Sequence, residues 1–324
     1  MFGGLESNAI EQIAVAQAAI SNHEAFLLAQ PSERQGSVRI YAVTSCVTRL
    51  YAVYEHFVES LISDYLDAIP ELSTYANLSD GLRKEYRFGI SYILGKLDSE
   101  RYSHLTHENV ILWYHQAISN SPTYRFVTEA LTRHETNLRL NIVENLISRV
   151  DLQGFRSWLV NSEQITSLYE EQTAIVEQLE AELRGFVQLR NDAAHGSLQT
   201  LEGRDNLVRY CEMIAALVKT MAAFFSRSLL LNRVRVGKAR KIGTVTEVFF
   251  KAGAFIAQLD AGSELETGMS VHVLGSNYYS RDSIQSLQVM GSGVDRLSAD
   301  RDAFEAGLKC SSIPKRNAGL YIDA

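Results

Sequence analysis

The sequence predicts an α+β chain of two domains: an all-helical bundle over residues 1–235, then a small antiparallel β-barrel over 236–324. Three observations predict it. Apolar residues recur at three- and four-residue spacing through the first part, the period of a helix face. Only 4 prolines occur in 324 residues, which leaves room for long uninterrupted helices. From Val234 onward short alternating runs punctuated by glycine take over, the pattern of strands and turns.

The elements follow in order. Residues 5–30, rich in Ala, Glu, Gln, Ile and Leu, read as a helix, and 31–36 as a break. Through 37–67 the residues Val43, Val47, Leu50, Tyr54, Phe57, Leu61 and Tyr65 form a buried helical stripe, with Glu55 and His56 in its middle. Pro70 ends that helix. Residues 80–98 give an amphipathic helix, 100–135 are less regular, and 142–152 are apolar again. Residues 162–190 read as one long helix with Ser162 as its cap. A last helix, 205–233, is apolar on several sides, as suits burial in a bundle or a dimer interface. Lys219 and Arg227 argue against its crossing a membrane. Beyond it, 242–251, 253–259, 270–274, 283–289 and 320–322 read as strands, with 251–253 as a hairpin turn. About six short strands in so short a segment suggest a small barrel.

Composition narrows the function classes. Hydrophobic content of 46% and charged content of 21% are those of an ordinary soluble globular chain. The net charge of −7 excludes a global basic field that would draw in nucleic acid. The first 235 residues hold 21 Lys and Arg against 28 Asp and Glu, so any RNA contact there must be local. Cys46, Cys211 and Cys310 are widely spaced and form no metal pattern; reduced thiols in a cytoplasm are expected. No basic-then-apolar leader opens the chain, so a cytoplasmic location without a membrane is expected. His104, His107 and His115 lack a cysteine or a second ligand pair at helical spacing. No cofactor and no metal are expected.

The stretch around which the chain is organised is 189–196, Leu-Arg-Asn-Asp-Ala-Ala-His-Gly. On a continuing helix Asn191 and His195 share a face, and Arg190 lies on the adjoining one. Arg190 offers a fixed cationic fork suited to phosphate. His195 is the side chain best able to exchange a proton near neutral pH. Asn191 can orient either by hydrogen bonds. The plain alternative is a helix end with a capping histidine and a surface arginine.

An Arg-Asn-x-x-x-His motif between two long helices resembles the R-x4-6-H signature of the HEPN superfamily, many of whose members are metal-independent ribonucleases. The string Arg-Leu-Tyr-Ala-Val-Tyr-Glu-His-Phe at 49–57 and, more weakly, Asn-Leu-Arg-Leu-Asn-Ile-Val-Glu-Asn-Leu at 137–146 resemble its RiboL-PSP/MAE branch. The resemblance spans roughly 40–230. It implies catalytic roles for Arg190, His195 and Asn191, and nominates Glu55, on the earlier helix, to tune His195 or pair with Arg190; a solvent-facing glutamate is the alternative. It also implies a homodimer whose two motifs share one cleft, an RNA substrate such as tRNA or ribosomal RNA, and a toxin or antiphage role with an operon-encoded regulator.

The second part resembles domain II of translation GTPases such as elongation factor Tu. The likeness rests on the segments 243–249, 254–259, 265–275, 283–289 and 318–322, although Gly268-Met269 stands where a glycine-aspartate is usual. No Gly-x-x-x-x-Gly-Lys-Ser/Thr loop occurs, so the barrel is no nucleotide switch. The resemblance implies contact with RNA or the ribosome. Two other functions stay open: a catalytically silent dimer scaffold whose barrel does the binding, and a regulatory or antitoxin-type protein tethered to the ribosome.

Overall fold

Among the residues described by the computed structural model (1–196, 202–299 and 303–324), ten α-helices precede ten β-strands. Helix α1 (Gly3–Leu28) folds back against α2 (Ser32–Ala68). The expected break at 31–36 is confined to the residues just before Ser32. Pro31 takes an extended conformation as the N-cap, where its missing N–H costs nothing, and α2 starts directly after it.

The 37 residues of α2 are the spine of the helical unit. Its predicted stripe is buried, and Tyr51, Val58 and Ile62 widen it. Helix α3 (Asp80–Leu94) is capped by Ser79, whose hydroxyl accepts from the Leu82 N–H, and α4 (His107–Ile118) by Thr106. The single turn α5 (Glu129–Thr132) lies so close to α3 that a Cβ on Gly89 would stand 2.0 Å from the Ala130 carbonyl oxygen. Helices α6 (Leu140–Arg149) and α7 (Phe155–Val160) follow.

The long helix expected over 162–190 is broken. A single turn, α8 (Glu163–Thr166), is followed by an irregular segment, and α9 runs over Ile175–Ala194. Side chains explain the break. Ser162 spends its hydroxyl on Thr220, 2.9 Å away, rather than on a cap. Gln178 donates to the Thr173 carbonyl (2.8 Å), Gln172 to that of Tyr169 (2.9 Å), and the Tyr169 hydroxyl to Glu182 (2.8 Å). Polar side chains bonded this way offer the backbone an alternative to the helix. Helix α10 (Arg204–Arg235) is long and apolar enough to cross a membrane by composition, and 67% of its most apolar window is buried. Cys46 and Cys211, distant in sequence, meet: the Cys211 thiol hydrogen-bonds to Cys46 and holds its thiol below the ordinary range, and neither is in a disulfide.

The chain divides into two compact units, Met1–Phe225 and Ser226–Ala324; the division falls inside α10, ten residues before the expected boundary. The second unit contains β1 (Ala239–Phe249), β2 (Ala254–Leu259), β3 (Glu264–Glu266), β4 (Ser270–Leu274), β5 (Tyr279–Ser283), β6 (Ser286–Val289), β7 (Ser292–Val294), β8 (Arg296–Ser298), β9 (Phe304–Lys309) and β10 (Gly319–Asp323). Eight of them form one antiparallel sheet in the order β5-β4-β10-β1-β2-β9-β6-β7, and β3 pairs with β8 apart from it. Val245, Phe255, Leu259, Val271, Leu287, Leu308 and Leu320 lie in its core.

The expected closed barrel is not found: β5 and β7 remain edges among the described residues. Both are short and polar, Tyr-Ser-Arg-Asp-Ser and Ser-Gly-Val, with no buried row to zip together. The register of β1 shifts at Lys241/Gly243 against β10 and at Val245/Glu247 against β2. What stands is an α+β chain of a helical unit followed by an antiparallel sheet.

The close α3–α5 approach generates a prediction. Gly89→Ala should destabilise the protein by about 1–3 kcal/mol through overpacking. Gly185→Ala on α9, whose Cβ would meet only the Tyr210 hydroxyl at 3.6 Å, should instead gain about 0.5–1 kcal/mol. Urea denaturation of the two variants should move in opposite directions.

Candidate active site

Helix α9 carries Arg190 and Asn191 in its last turn and ends on Ala194, with His195 as the C-cap. The guanidinium of Arg190 lies over the ring of Tyr51, 4.4 Å from its centroid. One terminal N–H of Arg190 reaches two amide oxygens at long range, Asn137 Oδ1 and Asn191 Oδ1, each at 3.3 Å. The Asn137 amide nitrogen donates to Asn191 Oδ1 at 2.9 Å and closes the triangle. The Nε of Arg190 is buried with no hydrogen-bond partner, and among the described residues no carboxylate lies within 4.0 Å of this guanidinium.

Tyr51, almost wholly buried on α2, organises the underside. Its hydroxyl accepts from the Leu138 N–H at 3.0 Å and donates to Glu55 Oε1 at 3.2 Å. Burial, and next to it the Leu138 bond and nearby Glu55, set the phenol's acidity; the net effect pushes it up to about 12, so it stays a donor at any working pH. Glu55 sits one turn along α2. It reaches Arg190 only through Tyr51, and its other neighbour is His134, 3.9 Å away. The direct ion pair with Arg190 is absent because the Tyr51 ring, not a carboxylate, occupies the space under the guanidinium.

The segment between α5 and α6 delivers Asn137, and several bonds hold it. His134 donates to the Thr136 carbonyl (2.9 Å) through Nδ1 and meets Glu59 (3.0 Å) through Nε2, and Arg101 bridges Glu59 (2.9 Å) and the His134 carbonyl (3.2 Å). Arg149 donates to the Arg133 carbonyl at 2.6 Å. Burial opposes charge on His134, but Glu59, the Thr136 carbonyl and Glu55 outweigh it and raise its pKa above the ordinary 6.5. Burial likewise opposes charge on Glu59, and His134, Arg101 and His56 outweigh it and hold its carboxyl below 4.5.

Three of the four sequence-nominated residues, Arg190, Asn191 and Glu55, are therefore joined in one bonded cluster. His195 is not. Its N–H donates to the Asn191 carbonyl at 3.0 Å, and its imidazole is exposed with no hydrogen bond among the described residues. Sequence reasoning missed Tyr51, Asn137 and His134 as parts of the site. Tyr51 and Asn137 do lie in the two family-like strings, and Tyr51 stands four residues before Glu55, the spacing of side chains that meet on a helix. Beside the cluster opens a cleft of about 920 Å³, lined among others by Glu55, Lys96, Arg101, His134, Asn137 and Arg139.

The helical unit, with Arg190 and His195 at the end of α9, is of the HEPN class, as a match over residues 5–233 shows. Residues 5–233 match the MAE_28990-like HEPN family, and the chain belongs to that family. Membership points to a nuclease-type or RNA-related function. No curated protein sequence matches the chain. Two crystal structures of the C-terminal domain of a Geobacillus thermoleovorans protein named as a U32 peptidase are similar to part of it. Both are 14% identical to it, cover 26% of this chain and 99% and 90% of their own, and have TM-scores of 0.23 and 0.22.

The clasp on the Asn137 segment makes stability depend on pH. The His134 contribution, from a raised pKa, is complete below about 6.5 and is lost as pH rises through the folded value. The Glu59 contribution, from a lowered one, is complete above about 4.5 and is lost as pH falls through the folded value. Thermal unfolding of the wild type and of His134→Gln should therefore differ most between about pH 4.5 and 6.5 and converge above and below that window. Parallel curves from pH 4 to 9 would refute the clasp.

Proposed function

We propose that this chain is a metal-independent endoribonuclease in which the Arg190 guanidinium receives the phosphate to be cut. The observation that carries this is the state of Arg190. It is seated on Tyr51, held by two long amide bonds, has a buried Nε without a partner and, among the described residues, no carboxylate within 4.0 Å. A positioned, uncompensated cation of this kind suits charge that develops on phosphoryl oxygens in a transition state.

In the proposed reaction the 2′-hydroxyl oxygen forms a bond to the adjacent phosphorus, and the bond from phosphorus to the 5′-oxygen breaks. His195 takes the 2′-proton while water protonates the leaving 5′-oxygen, or water takes the 2′-proton while protonated His195 supplies one to the 5′-oxygen. The products are a 2′,3′-cyclic phosphate and a free 5′-hydroxyl. Arg190 holds the non-bridging oxygens, and Asn191 with Asn137 fixes their direction. Glu55 acts through Tyr51 as a positioning residue. Family resemblance supports a homodimer in which two copies of the motif face one cleft, so that a partner's groups would complete the surroundings of His195. It also supports tRNA or ribosomal RNA as substrate, a cytoplasmic toxin or antiphage role, control by an operon-encoded regulator, and RNA or ribosome contact by the strand unit.

One observation favours a second reading. The His195 imidazole has no orienting partner among the described residues, and a general base is ordinarily held by one. A catalytically silent HEPN dimer, with RNA or ribosome binding left to the strand unit, would look the same.

Incubation of the purified protein with total tRNA and total RNA in EDTA separates the two. The nuclease reading predicts cleavage with 2′,3′-cyclic phosphate ends, and a drop of about 10²-fold or more in His195→Ala and in Arg190→Ala. Intact RNA with retained binding in all three proteins would leave the scaffold.

A further inference from the structure

The cleft beside the motif does not end at Asn137. A second depression of about 430 Å³ is lined by Arg139, Leu140, Asn141, Glu180 and Arg184, and it shares Arg139 and Asn141 with the first. The two adjoin at Arg139 and Asn141, at the start of α6, and the second extends to Glu180 and Arg184 on α9; together they are called the groove. Its first chamber, about 920 Å³, falls in the size range of pockets that hold small-molecule and nucleotide-sized ligands.

The charges in this groove are not balanced along its length. In the first chamber the cations are matched by acids: Lys96 pairs with Glu135 at 3.0 Å, Arg101 and His134 share Glu59 at 2.9 and 3.0 Å, and Glu55 lies 3.9 Å from His134. In the second, Arg156 is shared between Glu180 and Glu144, the latter at 3.0 Å, so one carboxylate charge stays over against two arginines. That leaves Arg139 and Arg184. Both are exposed, and among the described residues neither guanidinium has a hydrogen bond or a carboxylate within 4.0 Å. Asn141, exposed between the two chambers, likewise has no side-chain hydrogen bond among the described residues. Unspent guanidinium donors call for an anion. The chamber has the Asn137 and Asn141 amides at its edge and the Tyr92 ring, with Lys96 4.4 Å from its centroid, on its wall, which supplies polar partners for the edge of a base.

We infer that this groove seats unpaired RNA, with one nucleotide in the first chamber and a backbone phosphate neighbouring the cut one on Arg139 and Arg184. The inference rests on the ribonuclease reading for the identity of the polymer. It adds that the substrate is single-stranded at this place. A base in a duplex is stacked on both faces and paired along its edge, and cannot enter a concave chamber without being turned out.

The test is binding, read apart from cleavage. Fluorescence anisotropy would be measured for the full chain carrying His195→Ala, with an unstructured RNA 12-mer and with the blunt duplex of the same strand. The single strand should bind about tenfold or more tighter than the duplex. Adding Arg139→Ala and Arg184→Ala should weaken single-strand binding about tenfold and lower the slope of log K against log salt by about 0.7 for each phosphate no longer neutralised. Lys84→Ala with Arg87→Ala, two charges removed from α3 outside the groove, should leave both unchanged, and circular dichroism checks that every variant is folded. Equal affinity for the two RNAs, no measurable binding of the single strand, or an Arg139/Arg184 variant with unchanged affinity and slope would overturn the inference. If the wild type leaves RNA uncut yet binds it through Arg139 and Arg184, the cleavage reading falls and the groove stands. If it cuts RNA with a KM that the double substitution does not move, cleavage stands and the groove falls.

Discussion

A hydroxyl as deeply buried as that of Tyr51 costs roughly 1–3 kcal/mol if it is left without a partner, as that of the neighbouring Tyr54 is. The Tyr51 hydroxyl is filled from two directions, by the Leu138 N–H and by Glu55. The first bond pins a segment 87 residues further along the chain onto α2, and that segment carries Asn137. The ring meanwhile provides the platform on which Arg190 lies. One side chain thus fixes three parts of the site: the floor under the cation, the loop that steers it and the carboxylate behind it. An aromatic floor has a chemical consequence. It attracts a guanidinium by its quadrupole without neutralising it, so the charge stays available to an incoming phosphate. A carboxylate in the same place would hold Arg190 more firmly and spend that charge.

The sequence made some of this legible for physical reasons. Arg190, Asn191 and His195 sit within one and a half turns of helix, where spacing alone places side chains. The α2 stripe was readable because a long, half-buried helix imposes its period on composition. Tyr51 belongs to the same buried face and so looked like core, although its hydroxyl is the hub of the site. Asn137 could not be found from spacing, since its partners come from another helix. The break between α8 and α9 was hidden because Leu168 and Ile175 continue a helical period across it, while the residues between them bond their side chains to the backbone. The strands were visible through alternation. Whether the sheet closes depends on its two edges, and the polar residues of β5 and β7 leave it open.

Charge shows how local structure overrides composition. The chain carries a net −7, yet several carboxylates near the motif are engaged: Glu55 by Tyr51, Glu59 by His134 and Arg101, Glu135 by Lys96, Glu180 by Arg156, while Asp192 within the motif accepts from the Gln188 amide. Arg139 at the start of α6 and Arg184 on α9 keep their charge free of a carboxylate among the described residues, although Glu177, exposed near the start of α9, is an acid on the same helix. An acidic protein can present a positive track to a polyanion if its acids are spent on its own side chains, and the screening length of about 8 Å at physiological salt keeps distant acids from cancelling it.

The most direct test of the central claim, that Arg190 is a seated and unneutralised cation awaiting phosphate, is a nitrogen-detected NMR titration of its guanidinium. The probe is an RNA dinucleotide with a 2′-deoxy sugar at the cleavage position, which cannot be cut. The Arg190 Nε–H signal should shift as the dinucleotide saturates the site, and the shift should vanish when the same titration is repeated with Tyr51→Leu, which removes the platform. An Arg190 signal that stays fixed while the dinucleotide binds would show that the phosphate goes elsewhere, and the account of the site would be wrong.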